Sequence, residues 1–484
     1  MSVHQLRKNG EYKQAWEHAI RQVEEQPGNY KYVEELAWVY RDFLKREAEK
    51  GNLKNFLKVC NKISELTLHK GNKILNEQFA WSFYRMLKYQ LKNVNNNHND
   101  VQIIVKNYNI VVHTDVPSLP QSIIIKLLLK VKDHIPYFWN ILPWTNKNLL
   151  READRKEEEV NGKKIMPLNE RVFYAYIKTL IVDAEKNNNL ASEKLNGLID
   201  MTFEEKLIKQ FTFADYHLAK ACIVLNRKKQ AIMFAETFVK NNINKSWAWK
   251  LLAEAVDNND KKLMFLSKAV TLEHNETYLI GVRKMMTNTL LQKEYQMAAA
   301  ENVDIEIKTR NKNNWHIPER ISKNKKSTWY QNPTDKNELK KIINDYSSKA
   351  VTMLFPKATQ TYAIVMGGNT KIKFLLGETG QTFKIKLKTE VKTGNWFIIT
   401  HINQKLLSCC KTVPPEKYPE NVRKFKGKLN TNGNFGFVDD IYVSKYLLKI
   451  NKLQQGKMYK GIAIFTTNKK TDKKGWKAIK INNG

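Results

Sequence analysis

Long apolar runs are missing from this sequence. None reaches the roughly 18 residues that a membrane-spanning helix requires. The most apolar stretch, IIIKLLLKVK from Ile123, is interrupted by Lys126, Lys130 and Lys132. The chain does not open on a charged segment followed by an apolar one, so no secretory signal is expected and the expected location is the cytoplasm. Cysteine is scarce as well: Cys60, Cys222, Cys409 and Cys410 are the only four in 484 residues. That usage fits a reducing compartment and excludes a disulfide-built scaffold. Cys409 and Cys410 are adjacent, and neither a C-x-x-C pair nor a neighbouring His exists, so no zinc site and no other metal is expected.

Catalytic signatures are absent too. The ten histidines are scattered without H-x-x-x-H or H-E-x-x-H spacing, and no G-x-S-x-G occurs. The stretch GGNTK from Gly367 lacks P-loop spacing. Carboxylates such as Glu204 and Glu205 sit in helical stretches and read as solvated faces. No catalytic residue, enzyme activity or cofactor is expected. An active site assembled from residues far apart in sequence, as in an RNA-processing enzyme, stays open as an alternative.

What the sequence has in excess is positive charge. It carries 82 Lys+Arg against 48 Asp+Glu, a formal net charge of +34. Residues 351–484 hold 25 Lys+Arg and 7 Asp+Glu, or +18, a charge density about three times that of the preceding 350 residues. A field of that sign attracts polyanions, and nucleic acid is the commonest. Asparagine- and lysine-rich tracts such as NNNHN and KNNN show that biased composition also contributes, but bias alone does not produce a gradient. With 42% hydrophobic residues and 51 aromatic rings, the chain has enough apolar material for several folded domains.

The first 280 or so residues show apolar positions at helical spacing and few prolines. The stretch Asn9 to Asn29 has Gly10, Tyr12, Ala15 and Ala19, with Pro27 near its end, and Leu36-Ala37-Trp38-Val39-Tyr40 follows. This resembles the second helix of one tetratricopeptide repeat followed by the first helix of the next. The LAWVY pattern at Leu36 returns loosely as FAWSFY at Phe79, and similar spacing recurs at Leu218, Ala231, Ala235, Trp249, Leu252 and Ala269. Residues 100 to 165, with Pro117, Pro120, Pro136, Pro143 and the run READRKEEEVNGKK, read as degenerate hairpins with a long loop. Stacked helical pairs of this kind form an α-solenoid whose concave face holds a peptide or an unidentified protein partner. Its Trp and Tyr residues read as core rather than ligand contacts.

After Glu301 the helical pattern stops. Residues 301–334 are polar and basic, with Pro318, Pro333, Trp315, Trp329 and Tyr330, and read as a linker whose exposed rings are a second candidate for stacking on bases. A short helix from Lys336 and five strands are then expected: AVTMLF, YAIVM, KIKFLL, FKIKLK and NWFIITHI. FKIKLK places Lys384, Lys386 and Lys388 on one face. The expected domains are therefore helical repeats at 1–300, the basic linker at 301–334, a small β-rich domain at 335–412 for which an OB-like fold is one reading, and a second β-domain at 413–484.

That last domain carries the sharpest signal. In NGNFGFVDDIYVS, residues 432 to 444, strand alternation puts Ile441 and Val443 on one side and Tyr442 on the other. If Val438 also faces the core, Phe435 and Phe437 join Tyr442 outside. The F-G-F strand followed by D-I-Y-V-S resembles cold-shock domains, and most closely the cold-shock-like RNA-binding domain of transcription terminator Rho. The resemblance covers about residues 423 to 482. It implies an OB-type barrel on which Phe435, Phe437 and Tyr442 stack bases of single-stranded RNA or DNA. Lys428, Ser444, Lys445, Lys474 and Trp476 are further candidate contacts, together with Lys424, Lys426 and Lys477. The lysines read equally as solvated, and Trp476 reads as core rather more than as a fourth stacking ring. The sequence departs from the family pattern in places. Asp439 stands where a basic residue is usual, and Gly433-Asn434 replace the usual lysine. The Trp-bearing first strand of ordinary cold-shock proteins is shortened to KLNTN, and the histidine of V-F-V-H is Ser444, as in the Rho-like version. Helical repeats followed by a cold-shock-like tail are also similar to bacterial proteins of anti-phage conflict systems, which implies an accessory role in defence. The expected function is RNA binding coupled to a protein-interaction scaffold, with a pure protein scaffold as the alternative.

Overall fold

The helical first part and β-rich end are both present in the computed structural model. It describes residues 1–66, 72–112, 117–142, 150–204, 211–330, 337–369, 372–386, 391–402, 405–467 and 473–483. Pro143, Glu205, Pro333, Lys371 and Lys388, all singled out above, lie outside the described residues. The chain divides into two units, Met1–Phe238 and Val239–Gly484.

The first unit is built from α1 (Val3–Lys8), α2 (Tyr12–Glu25), α3 (Tyr30–Lys50), α4 (Leu53–Ser64), α5 (Lys73–Gln90) and α6 (Val94–Val111). It continues through α7 (Leu119–Val131), α8 (Phe138–Ile141), α9 (Leu168–Glu185), α10 (Asn189–Glu204), α11 (Ala214–Val224) and α12 (Lys228–Asn241). Sequential helices pair as hairpins, and a second set of contacts runs α3 to α5, α5 to α7, α7 to α9 and α9 to α11. Each helix of that row therefore buries two faces. Ala15 and Ala19, one turn apart on α2, are fully buried where a larger side chain would hold the neighbouring helix away. Phe83 sits fully buried between Phe56 and Tyr108, with ring centroids 5.0 and 5.5 Å away and both contacts edge-on.

One expectation fails here. The run READRKEEEVNGKK is not a loop but a short turn and a hairpin of β1 (Glu158–Val160) and β2 (Lys163–Ile165). Its turn uses Asn161 and Gly162 with positive φ. Asp154 anchors the segment: its buried carboxylate accepts from Ser122 Oγ at 2.6 Å and Arg151 Nη2 at 3.0 Å. Burial alone would raise this acid, but the Arg151 and Ser122 hydrogen bonds outweigh it and hold the carboxyl below its ordinary range.

The second unit begins with α13 (Ser246–Ala255), α14 (Asn259–Leu272), α15 (Glu276–Gln292), α16 (Gln296–Lys312), α17 (Glu319–Lys326) and α18 (Glu338–Leu354). Helix therefore continues well past Glu301, through much of the stretch read as a linker. The polar sequence misleads because its polar groups are spent internally. Arg283 donates to Asn302 Oδ1 at 3.0 Å and to Glu276 at 2.7 Å, while Asn302 donates to Thr287 Oγ1 at 2.8 Å. Glu306, fully buried, accepts from Arg310 at 2.9 Å and also from Arg320. Tyr330 donates to Asp304, so this ring is tied down. AVTMLF is likewise no strand. Ala350, Val351 and Leu354 are buried at helical spacing and complete α18.

Two β-modules follow. The first is a five-stranded antiparallel sheet: β3 (Thr359–Gly368), β4 (Ile372–Gly377), β5 (Thr382–Lys386), β6 (Trp396–Ile402) and β7 (Lys405–Thr412), in the order β5-β4-β3-β6-β7. KLLSCCKT supplies the fifth strand that AVTMLF does not. The second module is a closed barrel of β8 (Val422–Asn432), β9 (Phe435–Val438), β10 (Ile441–Val443), β11 (Met458–Thr467) and β12 (Lys474–Asn483), with α19 (Lys445–Ile450) between β10 and β11. In both modules the first strand pairs with the second and fourth, the second with the third, and the fourth with the fifth. The barrel adds the parallel pair β10–β12, which joins third strand to fifth and closes it. That is OB-type connectivity. Its core is Phe425, Leu429, Val438, Ile441, Val443, Tyr459, Ala463, Ala478 and Ile481.

Candidate nucleic-acid interface

The interface starts at a two-residue turn. Gly433 takes φ +59° between β8 and β9, which sets Asn432 opposite Phe435 and Asn430 opposite Phe437. A second two-residue turn, with Asp439 at φ +53°, sets Val438 opposite Ile441 and Phe437 opposite Tyr442. Alternation then fixes the faces. Val438, Ile441 and Val443 are buried inside, and Gly436 shares their side. A Cβ at Gly436 would lie 2.8 Å from the Asn430 carbonyl oxygen and 3.0 Å from Leu429, so the small residue of F-G-F is required by the close packing beneath it.

Phe435, Phe437 and Tyr442 are left on the outer face. They form a triangle with centroids 5.8 Å (Phe435–Phe437), 5.8 Å (Phe435–Tyr442) and 5.9 Å (Phe437–Tyr442) apart. Phe437 is 40% exposed and the other two are half-buried against it. Phe437 stands edge-on to both neighbours, at 88° to Phe435 and 69° to Tyr442, while Phe435 and Tyr442 are inclined by 36°. Rings held by each other in this way offer apolar surface to solvent at little entropic cost on binding.

Charge surrounds the triangle. Lys424, Lys426 and Lys428 are exposed at alternate positions of β8, leading to Asn430 beside Phe437. Lys426 faces Lys460 on β11, and Lys477, exposed on β12, is in register with Tyr442. Asp440 is neutralised by Arg423. Lys445 and Lys474 are exposed, at the start of α19 and of β12. Three of the sequence candidates are otherwise engaged: the Lys424 ammonium lies 5.0 Å over the Tyr418 ring, and Ser444 and Trp476 are held within the module. Ser444 caps α19, its Oγ accepting from the Leu447 amide at 3.5 Å. Trp476 packs against the barrel core, with Phe465 5.3 Å away and the Arg423 guanidinium 4.1 Å over its face, so that face is already covered. Asn430 and Lys460 were not among the sequence candidates. Counting outward from the Gly433-Asn434 turn would have placed Asn430 beside Phe437.

The stretch that builds this surface, residues 423–481, matches the family described as S1/CSD-like domain 2 of the TOTE conflict systems. The barrel is similar to that domain. A second family, described only as a domain of unknown function (DUF7017), matches residues 212–350. No curated protein matches the chain.

Elsewhere, no group of three or more His, Cys, Asp or Glu capable of holding a metal occurs among the described residues. No described helix is long and apolar enough to cross a membrane. Cys60 and Cys222 are buried; burial pushes the Cys222 thiol up to about 11 and Cys60 higher still, so neither is a ready nucleophile.

Proposed function

We propose that the C-terminal barrel captures single-stranded nucleic acid, RNA in preference to DNA, and that the helical part presents it to a protein partner as an accessory of a conflict, or anti-phage, system. The observation that carries this reading is the triangle of Phe435, Phe437 and Tyr442 standing outward over the buried barrel core. Three rings sit on the wet face of a strand pair while Ile441 and Val443 fill the interior. Bases stack on such rings with roughly 1–3 kcal/mol each and little regard to sequence, and lysines at alternate positions of the adjoining strand meet the phosphates. The similarity to the S1/CSD-like domain of conflict systems supports both the ligand class and the setting. Binding is proposed because the outer face presents rings, lysines and Asn430, the groups that hold bases and phosphates.

The test is fluorescence anisotropy of labelled single-stranded RNA and DNA with wild type and a Phe435→Ala, Phe437→Ala, Tyr442→Ala variant at two salt concentrations. Folding of the variant is checked by circular dichroism. The folded variant is expected to bind at least tenfold more weakly at both salts, about 1.4 kcal/mol or more. Equal binding by both proteins would reduce the interaction to lysine charge. Absence of binding by wild type would leave a protein scaffold.

A further inference from the structure

Resting on the binding reading above, we propose that the open five-stranded sheet carries a second stacking site, Phe374 with Lys384, for the same single strand. In the barrel, Phe435 and Phe437 stand on the second strand and Tyr442 on the third. In the open sheet the second and third strands are β4 and β5, since the two modules share four strand pairings. The second–third strand face is where OB-type folds take oligonucleotides. On that face of β4 stands Phe374, 42% exposed, in register with exposed Lys384 of β5. On its other flank β3 offers Gly367, where a Cβ would meet nothing within 4 Å. The exposed ring thus lies between a lysine-bearing strand and a residue without a side chain, where a base could stack with its phosphate toward Lys384.

The two modules are locked together. Ile364, Leu376 and Trp396 of the sheet form one buried cluster with Val422, Ile464 and Ile479 of the barrel. Asn421 Nδ2 donates to the Gly377 carbonyl at 2.8 Å, and Trp396 packs on Tyr418 at 5.3 Å. A cross-strand row on the outside of the barrel leads toward this cluster: Phe437, Tyr442 and Lys477, then Ile464 within it. Leu376, on the sheet side of the cluster, is two residues along β4 from Phe374 and shares its face. Strand spacing, sheet packing and residue rise put the path from Tyr442 to Phe374 on the order of 25 Å, a span one strand covers continuously when a single OB module takes about 4–16 nucleotides. The +18 charge of residues 351–484 spans both modules and suits one polyanion rather than an apolar partner.

The experiment uses the full chain and labelled oligouridine of about 6 and about 20 nucleotides. Wild type, Phe374→Ala/Lys384→Gln, Phe374→Trp and the triple ring variant are titrated, with circular dichroism confirming folding. The double variant is expected to lose about tenfold in affinity for the long oligomer and nothing for the short one. Phe374→Trp should bind the long oligomer at least as well as wild type, and the triple ring variant should lose both lengths. If the double variant binds the long oligomer like wild type, or loses both lengths equally, the second site is wrong while the barrel reading stands. If the triple ring variant binds both lengths like wild type, the barrel reading itself is wrong.

Discussion

The helical unit and the barrel use aromatic residues in opposite ways. In Met1–Phe238 five phenylalanines are packed inside, Phe56, Phe79, Phe83, Phe138 and Phe173 each being less than 2% exposed, and the exposed rings Tyr30, Tyr89 and Tyr137 are spread over separate segments. In the barrel Phe425 and Tyr459 join the aliphatic core, while Phe435, Phe437 and Tyr442 are gathered on the outer face. The difference follows from geometry. A helix among several neighbours buries a broad stripe, and a ring within it fills the space between helices. A five-stranded barrel has a small interior that Phe425, Tyr459 and aliphatic residues such as Leu429 and Ile441 already fill, so its outer face is where further rings can stand. Exposure of an aromatic therefore carries functional information in the barrel, whereas burial of one in the helices informs only about packing.

The largest expected effect breaks this comparison at both ends. Phe83→Ala in the helical unit should cost about 3–5 kcal/mol of stability, because its cavity opens between Phe56 and Tyr108. Phe437→Ala in the barrel should leave stability almost unchanged and instead remove about 1–3 kcal/mol of single-strand binding. Urea unfolding and anisotropy on both variants measure the two effects. A Phe437→Ala protein that unfolds as readily as Phe83→Ala would make the outer triangle a piece of core.

A smaller effect concerns a buried titratable group of the helical unit. His217 on α11 is buried against Tyr174, with centroids 4.9 Å apart, and Tyr216 and the charges of Lys178 and Lys220 also face it. Burial first, and then those two lysines, push its pKa down to about 3. The unfolded chain takes up this proton near pH 6.5, so between about 3 and 6.5 the unfolded state holds more protons than the folded one. This contribution is fully present above pH 6.5 and is lost as the pH falls through that window, by up to roughly 1.4 kcal/mol per pH unit. His217→Phe should flatten the pH dependence of the urea midpoint between pH 7 and 5. An unchanged slope would mean the imidazole is protonated in the fold.

How much of this was legible in sequence depended on range. The outward faces of Phe435, Phe437 and Tyr442 were readable because strand alternation is a local rule and two short turns fix the register. The helical character of the first unit was readable from periodicity. The buried network of Arg283, Asn302 and Glu306 was not, since polar residues that satisfy one another inside a fold look in sequence like residues that face water. The swap of AVTMLF for KLLSCCKT has a similar origin: β-branched residues at the end of α18 mimic a strand, and tertiary packing overrode propensity. The covering of Trp476 by Arg423 joins residues far apart in the chain, which no local pattern reports.

The smallest expected effect separates the lysines that belong to the surface from those that are only solvated. Lys428 is exposed on β8, two residues before Asn430, which lies opposite Phe437. Lys58 is equally exposed on α4 of the helical unit. A lysine that neutralises a phosphate releases a counterion, so removing it lowers the steepness with which log K falls against log salt by about 0.7 for a single strand. Lys428→Gln should reduce that slope by about 0.7 and weaken binding alike for every base sequence, whereas Lys58→Gln should change neither. If both substitutions lower the slope equally, the polyanion is gathered by the diffuse charge of the whole chain, and the rings act on a strand that no particular lysine has positioned. If only Lys428 counts, the alternate lysines of β8 are the track along which the strand reaches the rings.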